Sequence, residues 1–160
     1  WIRKQTDKTP LVRALAIRPN QSLITLSTPL MLNTHGFLYE IFKIFNHYSV
    51  SVDAITTAEI SVSLTVNNNV ANHLKLINDL KALGNVKIEK DLSLISLIGN
   101  NINHTAGLAK DVFNEIEDIN IRMICQGASL HNFCFLVSDQ EGENVVKSLH
   151  RKFIEGKNTK

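Results

Sequence analysis

Apolar residues recur along this chain with two different periods, and the order of these periods predicts its secondary structure. Over residues 37–48 they return every three or four positions, which is typical of an amphipathic helix. Over residues 50–66 they alternate with polar residues, as in half-buried strands. Gly36 stands where the helix begins. A glycine there lets a ligand approach the backbone closely, and the free N–H groups of a first helical turn attract an anion such as a carboxylate.

The same periods organise the rest of the chain. Strands are predicted over residues 11–17, 22–27, 86–89, 92–98, 119–125 and 132–137, and further helices over residues 70–83, 108–116 and 145–153. Residues 18–20 are predicted to form a turn, and Gly84 is predicted to end the second helix as a C-terminal cap.

An internal repeat appears at a constant offset of 71 residues, without a gap. The identical pairs include Ser22 and Ser93, Leu23 and Leu94, Ile24 and Ile95, Leu26 and Leu97, Thr34 and Thr105, Gly36 and Gly107, Phe42 and Phe113, and Val66 and Val137. The chain is therefore predicted to contain two copies of one unit. The first copy reads strand, helix, strand, strand, helix, strand, which is the ferredoxin-like βαββαβ arrangement.

The second copy lacks a fourth strand, whereas the strand over residues 11–17 lies outside the first copy. We therefore expect an α+β fold with the first unit inserted into the second, each with a four-stranded antiparallel sheet and helices on one face. The expected bounds are residues 21–90 for the first unit, residues 11–19 plus 91–154 for the second, residues 1–10 for a linker from another domain, and residues 155–160 for a tail.

The two copies differ at two acids. Asp53 and Glu59 flank the predicted corner over residues 56–58, and their counterparts 71 residues later are Ile124 and Leu130. A helix start for a carboxylate and two nearby acids for a cation would suit a zwitterion with an additional positive charge. The alternative is that both acids are solvated loop residues and that Gly36 only begins a helix.

Composition and charge exclude several functions. The net charge is +2 with scattered Lys and Arg, and the predicted strands over residues 22–27 and 61–66 lack stacking aromatics, so neither DNA nor RNA is an expected partner. No phosphate-binding glycine loop or nucleophile–base set predicts catalysis by these residues alone. The six histidines lack metal-ligand spacing.

Two further features indicate a soluble, cytoplasmic protein. No apolar run is long enough to span a bilayer, and no signal peptide is present. Cys125 and Cys134 lack metal-ligand spacing and are predicted to be reduced thiols in strands. They could face each other across a hairpin, where a disulfide is the less favoured alternative.

Three motifs resemble the regulatory region of aspartokinases, and within that family the lysine-sensitive class. They are MLNTHGFL at residues 31–38, SVDAITTAE at 51–59 and NIRMICQGAS at 120–129. The resemblance covers residues 11–153. It implies two ACT domains, one inserted in the other, that pair as a homodimer and bind lysine where the first units meet. It also implies an N-terminal kinase domain, which uses ATP and Mg to phosphorylate aspartate in the first step towards lysine, threonine and methionine.

The resemblance also implies a set of effector-binding residues. The head group of the amino acid would contact the backbone at Met31, Thr34, Gly36, Phe37 and Leu38, and the opposite side would be lined by Ser51, Val52 and Asp53, with Thr57 and Glu59 closing the site. Asp53 would pair with the side-chain ammonium. Thr34 and Ala58 stand where the family pattern has serine. The alternatives are therefore an effector other than lysine, or a dimerisation module without a ligand.

Overall fold

The computed structural model describes residues 11–157, so the predicted linker over residues 1–10 and the end of the predicted tail lie outside the described residues. The strands are β1 (Val12–Ser27), β2 (Ala54–Thr57), β3 (Ser61–Asn67), β4 (Asn85–Gly99), β5 (Met123–Cys125) and β6 (Asn132–Ser138). The α-helices are α1 (Phe37–His47), α2 (Leu74–Leu83), α3 (Leu108–Glu115) and α4 (Asp139–Phe153). None of the helices in this part of the chain is long and apolar enough to cross a bilayer.

Two strands are much longer than the sequence predicted. β1 joins the strands expected over residues 11–17 and 22–27, and β4 joins those expected over residues 86–89 and 92–98. The two long strands pair antiparallel at the centre of one six-stranded sheet of order β2-β3-β1-β4-β6-β5. The predicted turn over residues 18–20 is therefore wrong, because the chain continues through it as a strand.

Each long strand contains one extra residue where the two cross the middle of the sheet. On one side of the Gln21–Leu92 pair the extra residue lies in β1, and on the other side it lies in β4. Asn20 and Asp91 occupy these β-bulges with the same left-handed φ of 58°. Asn and Asp tolerate that conformation better than other non-glycine residues do. The bulges therefore depend on these two residue types.

Hydrogen bonds that start at a buried serine hold both bulges in the same way. Ser22 Oγ donates to Asn68 Oδ1 over 2.7 Å, and the Asn68 amide donates over 3.0 Å to the carboxylate of the bulge residue in β4. Ser93 Oγ donates to Asp139 Oδ1 over 2.5 Å, and Asp139 Oδ2 accepts over 3.3 Å from the backbone N–H of the bulge residue in β1. Ser93 and Asp139 lie 71 positions after Ser22 and Asn68, so the internal repeat extends to these polar contacts.

The bulges divide each long strand between two units. After its bulge β1 pairs with β3, and after its bulge β4 pairs with β6. Each half of the sheet then has the ferredoxin-like strand order, β2-β3-β1-β4 in the first unit and β5-β6-β4-β1 in the second. The α+β fold with an antiparallel sheet is confirmed, although the units share one continuous sheet. The bounds between them stay a prediction.

Each unit has its own core between its helices and its half of the sheet. The first core contains Ile24, Leu26, Ile41, Phe45, Val62, Leu64, Val66, Leu76, Ile77 and Leu80. The second contains Val12, Ile95, Leu97, Ile102, Leu108, Val112, Ile116, Phe133, Phe135, Val137, Val145, Leu149 and Phe153. The start of α1 and the end of β2, where effector residues are predicted, both belong to the first unit.

A third, smaller cluster joins the two units on the sheet surface away from these cores. Leu23, Leu92, Met123 and Leu136 are buried there together. Strands β2 and β5 stand at opposite ends of the sheet order, yet the hydroxyl of Thr56 donates to the carbonyl oxygen of Ile124 over 3.3 Å. The sheet therefore curls until its two ends meet, and this contact buries apolar surface that a flat sheet would expose.

Gly84 follows α2, as predicted, but not as a left-handed cap. Its φ of 169° is extended backbone, and a Cβ at this position would stand 2.7 Å from the carbonyl oxygen of Ser27. Glycine is required because the start of β4 passes close to the end of β1. The prediction that Gly84 ends α2 as its C-terminal cap is therefore confirmed, and close backbone approach explains why the residue is glycine.

Gly142 in α4 offers a test of how tightly the helix lies on the shared strands. A Cβ there would stand 2.8 Å from Ser93 Oγ and 2.9 Å from Ile17 Cδ1. Gly142→Ala should therefore lower the free energy of unfolding by about 1–3 kcal/mol, although alanine is the better helix former. Asn144→Ala, at an exposed position of the same helix, should be neutral or slightly stabilising. Urea unfolding measures both, and a more stable Gly142→Ala variant would contradict the close contact.

The two cysteines offer a second test. Cys125 and Cys134 face each other in the β5–β6 pair, and both are free thiols. Burial, with the neighbouring Cys125 thiol as the second cause, raises the pKa of the Cys134 thiol to about 11. Since only the thiolate reacts, iodoacetamide at pH 8 should label Cys125 in the folded protein while Cys134 stays unmodified. In urea both should react, and equal labelling rates in the folded protein would rule out this difference.

Candidate functional site

Hydrogen bonds within the loop between β1 and α1 fold it tightly at one end of the first unit. Thr28 N donates to the carbonyl oxygen of Ile60 over 2.9 Å, which ties the loop to the turn between β2 and β3. A 3-10 turn, Pro29–Asn33, follows. Thr34 Oγ1 donates to the carbonyl oxygen of Leu30 over 2.6 Å. These bonds hold the loop backbone in place beside the start of α1.

Gly36 begins α1 in the left-handed conformation, with φ 77° and ψ 12°. A Cβ at this position would meet no atom within 4 Å, so the backbone conformation and not space requires glycine. No side chain caps the first turn of the helix. Its backbone N–H groups, at the positive end of the helix dipole, can therefore bind a carboxylate.

Seven of the predicted site residues lie at this end of the first unit. They are Met31, Thr34, Gly36, Phe37, Leu38, Thr57 and Glu59. The side chains of Met31 and Phe37 pack against the first core, so only their backbone could serve a ligand. Leu38 and the two residues around the β2–β3 turn are exposed. This end therefore offers helix N–H groups, two hydroxyls and one carboxylate.

The other three predicted residues, Ser51, Val52 and Asp53, lie before β2 at the opposite end. Asp53 N donates to the carbonyl oxygen of Thr65 over 3.0 Å, and Val52 packs against the first core. The Asp53 carboxylate forms an ion pair with the guanidinium of Arg18, and the Asp53 side chain is 25% exposed. The partly exposed carboxylate thus has a positive partner within its own chain.

A cleft of about 530 Å³ opens beside this carboxylate. Polar and charged groups of Arg18, Ser49, Ser51, Asp53 and Asn67 line it. Hydroxyl, amide and carboxylate oxygens are good acceptors for an ammonium group. The cleft is therefore suited to the cationic end of a ligand.

The structure does not bring the two predicted acids together within one chain. Asp53 precedes β2 and Glu59 follows it, because residues 54–57 form a full strand and not a corner. A strand of that length separates its ends by roughly 13 Å. One chain therefore holds two half-sites, a helix start for a carboxylate and a cleft for an ammonium group.

Arg18 is the functional candidate that the sequence did not reveal. A lone cation in a predicted turn has no chemical signature, and its partner Asp53 is 35 positions away. The sequence motif around Asp53 was the nearest signal, but it did not indicate which cation pairs with that carboxylate. Only the continuation of β1 through residues 18–20 places this guanidinium beside the cleft.

The second unit keeps the backbone conformation of the loop but lacks the two acids. Gly107 repeats the left-handed start with φ 82°, and Thr105 Oγ1 donates to the carbonyl oxygen of Asn101 over 2.9 Å. The positions of the two acids are occupied by Ile124 and Leu130, both exposed. Only the first unit carries the acids. Among residues 11–157, no three His, Cys, Asp or Glu side chains are grouped to hold a metal ion.

Comparison with known proteins agrees with these features. The ACT-domain family matches residues 95–153. The chain is 44% identical over 158 residues to the lysine-sensitive aspartokinase 3 of Escherichia coli, a match that covers 94% of this chain and 35% of that protein. The chain thus spans about a third of the length of the curated relatives it matches.

Solved structures show the same fold. The chain is similar to E. coli aspartokinase III in complex with lysine and aspartate in the T-state, with a TM-score of 0.82 and 45% identity over 94% of this chain and 35% of that one. It is also similar to a chain assigned as a C-terminal regulatory domain of aspartate kinase from Porphyromonas gingivalis, with a TM-score of 0.77 and 26% identity over 90% of this chain and 99% of that one.

Proposed function

This chain belongs to the regulatory regions of aspartokinases, and from that premise we propose that two copies of it bind L-lysine as a feedback effector between their first units. The effector's carboxylate would bind at the start of α1, and its side-chain ammonium would bind at Asp53. The separation of these two half-sites along β2 is the observation that carries the proposal.

The length of lysine explains why two copies are needed. An extended lysine spans about 7 Å from its carboxylate carbon to its ammonium nitrogen, whereas the two half-sites of one chain lie roughly 13 Å apart along β2. β2 already contacts β5 of the same chain, so the second copy would not pair along that strand. A two-fold axis beside the exposed face of α1 would run the elements of the two copies in opposite directions and set the cleft of one copy next to the helix start of the other.

Exposed apolar side chains support a second copy as the partner. Leu38 and Phe42 are one helical turn apart on α1 and 39% and 40% exposed, and Tyr39 beside them is 64% exposed. Leu30 in the adjoining loop is 69% exposed. Large apolar side chains grouped in this way are typical of protein interfaces. We name Leu30, Leu38, Tyr39 and Phe42 the α1 patch.

The proposed regulation acts on a kinase outside these residues. As in an aspartokinase, the rest of the protein would phosphorylate L-aspartate with ATP and Mg, and this chain would contribute no catalytic group and no cofactor. Effector binding would favour one arrangement of the dimer, and β1 would transmit it towards residues 1–10. Coupling free energies of this kind are typically about 1–3 kcal/mol.

One observation favours an alternative in which the module dimerises without a ligand. The Asp53 carboxylate already has a positive partner in Arg18. Ala58 stands where the family pattern has serine. This leaves a further alternative, in which the effector is an amino acid other than lysine. Thr34 does not support this alternative, because its hydroxyl donates to the carbonyl oxygen of Leu30.

Calorimetric titration with L-lysine tests the proposal directly. We expect saturable binding, at one lysine per chain, with little or no heat from L-threonine or L-methionine. Asp53→Asn should weaken lysine binding by roughly 10- to 150-fold, since a desolvated charge-assisted hydrogen bond contributes about 1.5–3 kcal/mol. Glu117→Gln, an exposed acid in the second unit, is the matched control and should bind like the wild type. Unchanged affinity in Asp53→Asn would remove Asp53 from the site.

The oligomeric state tests the proposed interface. Tyr39→Asp places a charge in the α1 patch, and we expect it to convert the dimer to a monomer in analytical ultracentrifugation. An acid in the first turn of a helix is compatible with folding. Leu74→Asp is the matched control, since Leu74 begins α2 and is 77% exposed outside the patch. Dissociation by both variants, or by neither, would contradict an interface at the α1 patch.

A further inference from the structure

The acid assigned to the effector's ammonium already has a counter-charge in the same chain. The Arg18 guanidinium contacts the Asp53 carboxylate, and the Arg18 side chain is 60% exposed while that of Asp53 is 25% exposed. The cation is therefore the more solvent-exposed partner, whereas the backbone of the anion is held by a hydrogen bond to Thr65. Any ammonium that binds at Asp53 must either share the carboxylate with Arg18 or displace it.

This ion pair also joins the two units. Arg18 lies before the β1 bulge, where its backbone pairs with Leu94 in the sheet of the second unit. Asp53 is held in the first unit by its backbone hydrogen bond to Thr65. The contact thus bridges the point where β1 passes from one unit to the other. Its loss would change a contact between the units as well as the charge in the cleft.

The repeat supplies an internal comparison. The offset of 71 relates Arg18 to Glu89 and Ser51 to Arg122. Arg122 Nε lies 2.6 Å from Glu89 Oε1, and their side chains are 31% and 34% exposed. This second ion pair also joins the units, because Glu89 precedes the β4 bulge and Arg122 leads into β5. Among the described residues, each unit boundary therefore has one ion pair, with the acid in place of the base on the long strand and its partner two positions earlier in the repeat.

Only one of the two ion pairs faces the cleft. Arg18 and Asp53 line it, whereas Glu89 and Arg122 do not. The Glu89–Arg122 pair is also the more evenly shielded, since both of its side chains are about one-third exposed. The two contacts are alike in position but differ in their access to a ligand.

We propose that Arg18 is an internal competitor for the effector, displaced from Asp53 when the effector's side-chain ammonium binds. This inference rests on the proposed function. Arg18 then has two consequences. It lowers the affinity for the effector, because Asp53 must release one cation before it binds another. It also means that effector binding breaks one of the two ion pairs between the units. Occupancy of the cleft is thereby coupled to the part of β1 that belongs to the second unit.

The experiment is a lysine titration of the full chain and three variants. Arg18→Gln should tighten lysine binding by about 3- to 10-fold, a range that corresponds to a partly exposed ion pair. Arg122→Gln, which breaks the other ion pair, should change the affinity by less than about twofold. Arg18→Lys keeps a competing charge, although not the guanidinium geometry, and should tighten lysine binding less than Arg18→Gln does. Thermal unfolding of each variant reports whether it is folded.

A double-mutant cycle tests whether the effect passes through Asp53. In the Asp53→Asn background, Arg18→Gln should no longer tighten binding, because the competitor has no carboxylate to occupy. A purely structural role for Arg18 would give the same change in both backgrounds.

The outcomes separate the two proposals. Unchanged or weaker binding by Arg18→Gln, with normal binding by the wild type, would overturn the competition while leaving the lysine site intact. Tightening by Arg18→Lys as large as that by Arg18→Gln, or an Arg18→Gln effect that persists without Asp53, would also overturn it. Binding by Arg18→Gln but not by the wild type would support it strongly. No binding by either would overturn the lysine site and the competition together.

Discussion

The paired bulges in β1 and β4 are the constraint on which the structure depends. Without them, side chains would alternate unbroken along β1, and Ile24 and Leu26 would face the sheet surface opposite to that of Leu15. The extra residue shifts the alternation, so that Leu15 packs against the second core while Ile24 and Leu26 lie in the first. The left-handed backbone at Asn20 and Asp91 makes this change possible. Two helical layers can therefore share one sheet.

The position of the site follows from this arrangement. In a ferredoxin-like unit, the loop before the first helix and the segment before the second strand lie at opposite ends of the sheet. Here that separates Gly36 from Asp53, although both motifs belong to one predicted site. Lysine is too short to reach from one to the other within one chain, which is why the proposed site takes one group from each of two copies. In that proposal, symmetric pairing is part of ligand binding.

The ion pairs at the unit boundary give the two copies of the repeat different properties. Both copies keep the left-handed glycine, the buried serine and the hydroxyl-to-carbonyl bond of the loop. The first unit has an acid where the second has an exposed Ile124. Under the proposed function, only the boundary ion pair of the unit with the acid would exchange partners with a ligand. Divergence of a few side chains on a common backbone would then separate a binding unit from a supporting one.

The sequence by itself determined the repeat, the ferredoxin-like order of elements and the motif residues. Apolar periodicity is a local signal, and a constant offset becomes clear when matches along the chain are added together. The helices over residues 37–47 and 74–83 were visible for that reason. The tertiary structure decided that residues 18–20 are a bulge, that Gly84 is extended, and that Asp53 and Glu59 stand apart. It also decided that Arg18 is the partner of Asp53. Each of these depends on which strands pair across the sheet, and long-range pairing is not encoded in the residues next to each position.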